Sequence, residues 1–299
     1  MKKTIIIFFG LLVLITLLAA SLSNNKTSIP IKNSNDDPIK VYALELPDTL
    51  YFSGEQVPLD LIDVRERLDR ELLVNTYWQS NMMLLLKRAH RYFPDIERIL
   101  KEEGVPEDFK YLAVIESGLQ NVISPAGAKG FWQLMRNTAK EFGLEVNSNV
   151  DERYHLELST RTACKYLIKA KKRFGSWTLA AASYNRGMFG IHSLMQKQQV
   201  DNYYDLLLGS ETSRYMFRIL AVKQIMSYPK EYGFVFSDMD LYQKIPTRKI
   251  HLDTAISNIA VFSKKMKLNY KLLKLNNPWL LENHLNNKSR KKYEITLPK

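Results

Sequence analysis

Glu116 is the residue of this chain with the clearest capacity for acid–base chemistry, because its neighbours are apolar. It lies in the segment Tyr111-Leu-Ala-Val-Ile-Glu-Ser-Gly-Leu. In a helix, Leu112 and Leu119 lie beside Glu116, four and three residues away. Gly118 suggests the end of that helix, where the backbone dipole presents its negative end. Poor solvation and the dipole both disfavour the carboxylate, so we expect a raised pKa and a proton available for donation near neutral pH.

Three polar motifs follow, and each has an ordinary structural explanation when taken alone. Residues 124–135 read Ser-Pro-Ala-Gly-Ala-Lys-Gly-Phe-Trp-Gln-Leu-Met, residues 181–187 read Ala-Ala-Ser-Tyr-Asn-Arg-Gly, and residues 211–215 read Glu-Thr-Ser-Arg-Tyr. A loop, a tyrosine packed at a helix end and the start of a surface helix would explain them. A solvated, capping or ion-paired role would explain Glu116 in the same way. Their order after Glu116-Ser117 is hard to obtain by chance, which indicates a functional site.

An all-α globule is predicted to position these motifs. From Leu59 onward, apolar residues recur every three to four positions, and short turns with glycine or proline separate the segments. The pattern predicts helices at approximately 60–90, 94–103, 106–119, 136–142, 158–174, 177–184, 188–197 and 210–227. Almost no alternating strand pattern occurs before residue 230, so the middle of the chain is predicted to be helical throughout.

The C-terminal residues 241–299 have a different pattern. Lys249–Leu252 and Tyr293–Leu297 each resemble a short strand, because apolar residues alternate with polar ones. Between them, Ala255–Lys267 and Tyr270–Leu275 are predicted to form two short helices. The segment is therefore predicted to be a small β-α-α-β module.

The N-terminal residues 1–23 have the pattern of an export signal. Lys2 and Lys3 precede an apolar run from Ile5 to Leu18, and small residues follow. The run is near the lower limit for a membrane span, so either a cleaved signal peptide or an uncleaved membrane anchor fits. Residues 24–58, rich in Asn, Ser, Asp and Pro, are predicted to be a linker. We therefore expect an exported protein of the cell envelope (periplasm).

The basic charge is concentrated in the C-terminal module. The 299 residues carry a formal charge of +12, of which residues 241–299 contribute +10 with thirteen Lys and Arg against three Asp and Glu. Residues 1–40 contribute +3, and the long middle of the chain is therefore close to neutral, at −1. The total charge alone would suggest an anionic partner such as nucleic acid. Export and the neutral middle argue against nucleic acid.

The composition also bears on cofactors and disulfides. Cys164 is the single cysteine, so no internal disulfide can form, and its helical surroundings predict a buried core position. The sequence shows no cluster with metal-ligand spacing and no phosphate-binding glycine loop. No metal and no cofactor are therefore expected.

Together, the four motifs resemble the lytic transglycosylase domain of glycoside hydrolase family 23, whose fold is related to goose-type lysozyme. The resemblance covers roughly residues 60–235 and is closest to a membrane-bound branch that has a preceding helical region like residues 59–105. It implies that Glu116 is the catalytic acid and base. Substrate binding is implied for Ser124, Gln133, Met135, Tyr184 and Asn185. Glu211 is implied as a supporting residue, although a carboxylate at a helix N-terminus is an equal alternative.

The family usually has one more residue than this chain between the catalytic Glu and the loop Ser, which leaves the position of Ser124 open. The resemblance implies cleavage of the β-1,4 bond between N-acetylmuramic acid and N-acetylglucosamine in peptidoglycan, with formation of a 1,6-anhydro end. A hydrolytic muramidase of the same fold is a second hypothesis. A non-catalytic wall-binding protein is a third, which the presence of Glu116 and its polar neighbours disfavours.

The C-terminal module resembles LysM, a small domain that binds glycans containing N-acetylglucosamine. The resemblance rests on Ile256-x-x-Ile-Ala, Tyr270-x-x-Leu, Asn276-Asn-Pro and Ile295-Thr-Leu-Pro. The fold expected is therefore mainly α, with a lysozyme-like catalytic domain at 59–235 and a LysM-like module at 241–299. The expected partners are peptidoglycan glycan strands, and the membrane if the N-terminal segment is retained. The sequence does not determine the oligomeric state.

Overall fold

Helices account for most of the structure, a computed structural model that describes residues 41–299. The ten α-helices of this part of the chain are numbered in chain order: α1 (Ile62–Tyr77), α2 (Gln79–Glu102), α3 (Lys110–Ser117), α4 (Arg136–Glu141), α5 (Leu156–Phe174), α6 (Trp177–Arg186), α7 (Met188–Gln198), α8 (Ser210–Ser227), α9 (Ile259–Lys265) and α10 (Tyr270–Asn276). Short 3-10 turns occur at Glu107–Phe109, Glu152–Tyr154 and Asp238–Asp240. The strands are β1 (Tyr51–Phe52), β2 (Glu55–Gln56), β3 (Thr247–Leu252) and β4 (Tyr293–Pro298).

The predicted export segment, residues 1–23, and the first part of the predicted linker lie outside the described residues. Within residues 41–299, none of the helices combines the length and the apolar character that a membrane crossing requires.

The main core is formed by the helices of the middle of the chain. Helix α1 packs against α8, α5 against α6, and α6 against α7. The apolar residues of α1 and α8 recur at helical spacing and are fully buried at Val64, Leu68, Leu72, Met216, Ile219 and Leu220. Cys164 of α5 is buried in the same core, and burial raises the pKa of its thiol to about 12. Cys164 therefore has the core position that the sequence predicts.

Helices α1 and α2 differ from the predicted segments 60–90 and 94–103. Trp78 interrupts the first segment, because its backbone (φ −88°, ψ 58°) is not helical. Pro94 does not end the second helix, and α2 continues through it to Glu102. A proline inside a helix costs about 3 kcal/mol or more, because it has no N–H to donate and its ring crowds the preceding turn. Buried Ile96 and its apolar neighbours offset that cost by packing into the core.

The predicted linker 24–58 is too long at its C-terminal end. Strands β1 and β2 form a small hairpin, and Phe52 and Val57 at this hairpin are buried in the main core. Glu55 accepts hydrogen bonds from the backbone N–H groups of Trp177 and Thr178 at the first turn of α6. These hydrogen bonds hold the pKa of Glu55 below its usual value against the effect of burial. A carboxylate at a helix N-terminus is favourable, so the hairpin belongs to the folded domain.

The C-terminal module has the β-α-α-β order that the sequence predicts. Strands β3 and β4 pair antiparallel, from Thr247 opposite Pro298 to Leu252 opposite Tyr293. Alternate residues of β4 are buried, and they form a second hydrophobic cluster with residues of α9 and α10. Val150 also belongs to this cluster although it precedes α5 in the chain, so the second core extends into the middle of the chain.

Candidate active site

Glu116 lies in the last turn of α3, where the chain reverses direction. Gly118 follows the helix with a left-handed backbone (φ +59°). Two arginines complete the helix end, because Arg218 donates to the carbonyl of Ile115 at 2.9 Å and Arg88 donates to the carbonyl of Gly118 at 3.2 Å. Cations at a helix C-terminus satisfy its free carbonyls and counter its negative dipole end. Glu116 is thus held on a fixed helix end.

A cavity of about 480 Å³ opens in front of Glu116. It is lined by residues of α1, α2, α3 and α8, among them Trp78, Arg88, Glu116, Glu211 and Arg214. Trp78 is 61% exposed, at the break between α1 and α2. The cavity therefore combines the carboxylates of Glu71, Glu116 and Glu211 with an accessible aromatic ring and several cations. Pockets that orient a polar ligand often have such a composition.

The pKa of Glu116 is raised from 4.5 to about 7, which agrees with the direction expected from the sequence. Burial is the largest cause, because it removes water from the carboxylate. The hydrogen bond from Tyr215 and the charge of Arg218 act in the opposite direction, whereas the charge of Glu211 adds to the rise. A group with this pKa exchanges a proton readily near neutral pH, as a general acid and base must.

Tyr215 contacts Glu116 directly, a role that the sequence analysis missed. Its hydroxyl group donates a hydrogen bond to Oε1 of Glu116 across 99 positions of the chain. Burial and the nearby carboxylate raise the pKa of Tyr215 well above 10, so it remains a hydrogen-bond donor. Tyr215 is the last residue of the 211–215 motif. That motif was therefore a usable signal, although only its glutamate was assigned a role.

Ser117, the residue after Glu116, joins the end of α3 to the glycine-containing loop at 122–135. Its hydroxyl donates to the carbonyl of Phe131 at 2.8 Å and is buried. The loop passes so close to a neighbouring segment that a Cβ atom on Gly130 would lie 2.0 Å from the carbonyl oxygen of Arg153. Gly130 also has a left-handed backbone (φ +80°). Glycine is therefore required at this position by both space and conformation.

The loop residues predicted to bind substrate are used, in this structure, to hold the loop itself. Gln133 Nε2 donates to the carbonyls of Gly130, at 2.8 Å, and Val122, at 3.1 Å. Ser124 Oγ accepts from the backbone N–H of Ala128 at 3.0 Å. Met135 precedes α4 and is 46% exposed. None of Ser124, Gln133 and Met135 is among the described residues that line the Glu116 cavity.

Tyr184 and Glu211 lie near enough to Glu116 to interact with it electrostatically, and Asn185 contacts Glu211. The Tyr184 hydroxyl donates to the carbonyl of Trp132 at 2.7 Å, and burial together with the charge of Glu116 raises its pKa. Asn185 donates to Glu211 at 3.0 Å and accepts from Thr212 at 2.7 Å. Glu211 lines the cavity with Glu116. Glu211, which the resemblance implies as a supporting residue, therefore reaches the cavity, where Asn185 orients its carboxylate.

Metal binding has no evident place among the described residues. They contain no group of three or more His, Cys, Asp or Glu side chains arranged to hold a metal ion.

Substitution of Tyr215 by Phe is expected to raise the pKa of Glu116 further. The hydrogen bond from Tyr215 stabilises the carboxylate, and hydrogen bonds to charged groups contribute about 1.5–3 kcal/mol, so the rise is expected to be about one to two units. A ¹³C NMR titration of the Glu116 carboxyl group measures it. Tyr111→Phe is the matched control, since the Tyr111 hydroxyl contacts Ser227 and not Glu116. An unchanged pKa in Tyr215→Phe would contradict the assignment of Tyr215.

Two protein families match separate parts of the chain. Residues 95–206, which include Glu116, match the transglycosylase SLT domain. Residues 248–299 match the C-terminal LysM-like domain of soluble lytic transglycosylases. The chain therefore carries an SLT transglycosylase domain followed by a LysM-like domain.

The chain is homologous to membrane-bound lytic murein transglycosylase D. It is 26% identical to that protein from Escherichia coli strain K12 over 218 residues, which are 70% of this chain and 47% of the relative. The same values apply to the protein from Escherichia coli O6:H1 strain CFT073. The chain thus spans about half the length of these curated relatives.

Among solved structures, the chain is similar to the 70 kDa soluble lytic transglycosylase Slt70 from Escherichia coli. The identity is 18% and the TM-score 0.42, and the match covers 59% of this chain and 33% of Slt70.

Proposed function

We propose that this protein is a lytic transglycosylase that cleaves the β-1,4 bond between N-acetylmuramic acid and N-acetylglucosamine in peptidoglycan and leaves a 1,6-anhydro end. The observation that carries the proposal is the environment of Glu116, a carboxyl group with a pKa of about 7 at the edge of a cavity. The SLT domain match and the homology to a lytic murein transglycosylase support it.

Glu116 supplies both proton transfers of the proposed reaction. Its protonated carboxyl group donates to the glycosidic oxygen while the bond from that oxygen to C1 of the muramic acid breaks. The N-acetyl carbonyl oxygen of the same sugar stabilises the cationic C1. The Glu116 carboxylate then takes the proton of the C6 hydroxyl group while O6 bonds to C1, which closes the anhydro ring. Glu116 is protonated again at the end, and no water is consumed.

The surrounding residues hold Glu116 in position. Tyr215 orients the carboxyl group through its hydrogen bond and stabilises the carboxylate between the two transfers. Glu211, held by Asn185, raises the pKa of Glu116. Ser124, Gln133, Met135, Tyr184 and Asn185 are proposed as substrate-binding residues, with Gln133 and Asn185 exchanging their present hydrogen bonds for contacts with the sugars.

The relation to a membrane-bound transglycosylase supports a location in the cell envelope. We place the protein in the periplasm, exported through residues 1–23, which are either removed or retained as a membrane anchor. The peptidoglycan glycan strand is its partner, and cell-wall turnover or remodelling is its role.

Analysis of the reaction products distinguishes this proposal from a hydrolytic muramidase. Purified peptidoglycan digested by the wild-type protein is expected to give products with anhydromuramic ends, each lighter by one water than the corresponding reducing product. Mass spectrometry of the released muropeptides measures the ratio of anhydromuramic ends to reducing ends. A digest with reducing ends alone would establish the muramidase instead. No release by a folded protein would favour the non-catalytic wall-binding alternative.

A further inference from the structure

A second cavity lies at the junction between the helical domain and the C-terminal module. Its volume is about 370 Å³, and it shares none of its lining residues with the Glu116 cavity. The helical domain contributes Tyr92, Asn121 and Tyr154 to its walls, and the module contributes Leu275 and Thr296. The cavity therefore exists only because the two parts of the chain are packed together.

One face of helix α2 connects the two cavities. Residues Asn81, Leu85 and Arg88 line the Glu116 cavity, and Tyr92 and Asp95, at the same helical spacing, line the junction cavity. At a rise of 1.5 Å per residue, Asn81 and Asp95 are about 21 Å apart along the helix axis. The two cavities thus follow each other along one face of one helix, which is the alignment that a linear polymer held at Glu116 would need to reach the junction.

The charged residues of the junction cavity are mostly paired with each other. Lys244 contacts Asp95 at 2.7 Å, and Lys249 contacts Glu157 at 3.0 Å and Glu294 at 2.8 Å. Paired charges leave little net field for a polyanion. These ion pairs leave neutral polar groups and aromatic rings for a ligand, as at Asn121, Thr296, Tyr92 and Tyr154. This lining suits a neutral ligand that carries hydroxyl and amide groups.

The module is fixed to the helical domain by a dense set of contacts. The Asp151 N–H donates to the carbonyl of Trp279 at 2.9 Å, and the Asn149 side chain bonds the module backbone at Asn286 and His284. Lys291 of the module contacts Glu145 and Glu152 at 2.7 and 2.6 Å. The wall that the module contributes to the cavity is therefore held in place.

We propose that the junction cavity is a distal binding site for the glycan strand, which holds N-acetylated amino sugars several rings away from the bond at Glu116. This inference rests on the proposed function, because it takes the substrate to be a glycan. The LysM-like module then acts as one wall of an extended substrate groove and does not bind glycan as a separately tethered domain.

The test uses the full chain with Glu116→Gln and β-1,4-linked N-acetylglucosamine oligomers as probes, with binding measured by calorimetry. Leu275→Arg places a long cation in the junction cavity, where Leu275 is 64% exposed. Leu272→Arg is the matched control, because Leu272 is an exposed leucine of the same helix that does not line the cavity. We expect Leu275→Arg to weaken binding of the hexamer at least tenfold, with the dimer affinity and the Leu272→Arg protein unchanged.

The distal site would be overturned if the Glu116→Gln protein bound the hexamer equally well with and without Leu275→Arg or Leu272→Arg. It would also be overturned if the Glu116→Gln protein did not bind the hexamer at all. In the wild-type background, Leu275→Arg is expected to raise KM on long glycan strands at unchanged kcat, and an unchanged KM would also overturn it. The proposed function is tested separately, since the wild-type digest shows whether anhydro products form whatever the junction cavity binds.

Discussion

Replacement of Glu116 by glutamine is expected to lower the rate of peptidoglycan cleavage by about 10²–10⁴-fold, the usual contribution of a positioned general acid. The amide has nearly the shape of the carboxyl group and can still accept the hydrogen bond of Tyr215. It can neither donate a proton to the glycosidic oxygen nor take one from the C6 hydroxyl group. A loss of cleavage activity in this variant can therefore be attributed to proton transfer and not to altered packing.

Release of soluble muropeptides from purified peptidoglycan measures this effect. Glu141→Gln serves as the control, because Glu141 is an exposed glutamate whose partner is Lys169. Wild-type release rates in the Glu116→Gln protein would refute the mechanism.

The same substitution is expected to stabilise the protein at high pH. The folded state raises the pKa of Glu116 from 4.5 to about 7, so it binds this proton more tightly than the unfolded chain does. The favourable contribution is complete below about pH 4.5 and is lost as the pH rises through about 7. Above that pH the ionised Glu116 costs up to about 3 kcal/mol, which glutamine avoids. Urea unfolding of the wild-type and Glu116→Gln proteins at pH 5 and pH 8 measures this effect. If the stability advantage of Glu116→Gln did not grow between these two pH values, the prediction would be contradicted.

Substitution of Gly130 by alanine is expected to lower the free energy of unfolding by about 2–5 kcal/mol, the sum of overpacking and a left-handed backbone on a residue with a side chain. The added Cβ would lie 2.0 Å from the carbonyl oxygen of Arg153, and backbone is the least able to move aside. The loop at 122–135 would have to shift, which would also displace the carbonyl that Ser117 binds next to Glu116. A loss of activity is therefore expected together with the loss of stability.

Gly127→Ala is a closely matched control for this prediction. Gly127 lies in the same loop with almost the same backbone angle (φ +83°), but no atom lies within 4 Å of its Cβ position. Only the backbone cost of about 1–2 kcal/mol should remain. Denaturant unfolding of the two variants measures the difference. Equal destabilisation by both would show that the contact with Arg153 is unimportant.

The carboxylate and its pKa direction could be predicted from sequence because their causes are local. Leu112, Leu119 and Gly118 lie within four residues of Glu116, where helical geometry fixes their positions. The order of the β-α-α-β module was predictable for the same reason, since alternation and helical spacing are local patterns. The sequence pattern wrongly predicted a continuous helix across Trp78 and a break before Pro94. At Pro94, the packing of Ile96 and its apolar neighbours into the core outweighs the local preference of proline.

The sequence pattern could not predict contacts between residues that are far apart in the chain. Tyr215 was part of a recognised motif, but its contact with Glu116 depends on how α8 packs across α3. The basic charge of the module was also open to misinterpretation. Lys244, Lys249 and Lys291 form ion pairs with the helical domain and are therefore not free to attract an anionic partner.

Local spacing was enough to predict the helical class, the small C-terminal module and a poorly solvated carboxylate at a helix end, because each depends on residues a few positions apart. The packed structure was needed to show which tyrosine holds that carboxylate, why Gly130 tolerates no side chain, and how the module completes a second cavity. The physical reason is that these features arise where segments distant in sequence are brought into contact, and side-chain packing, not local spacing, selects those contacts.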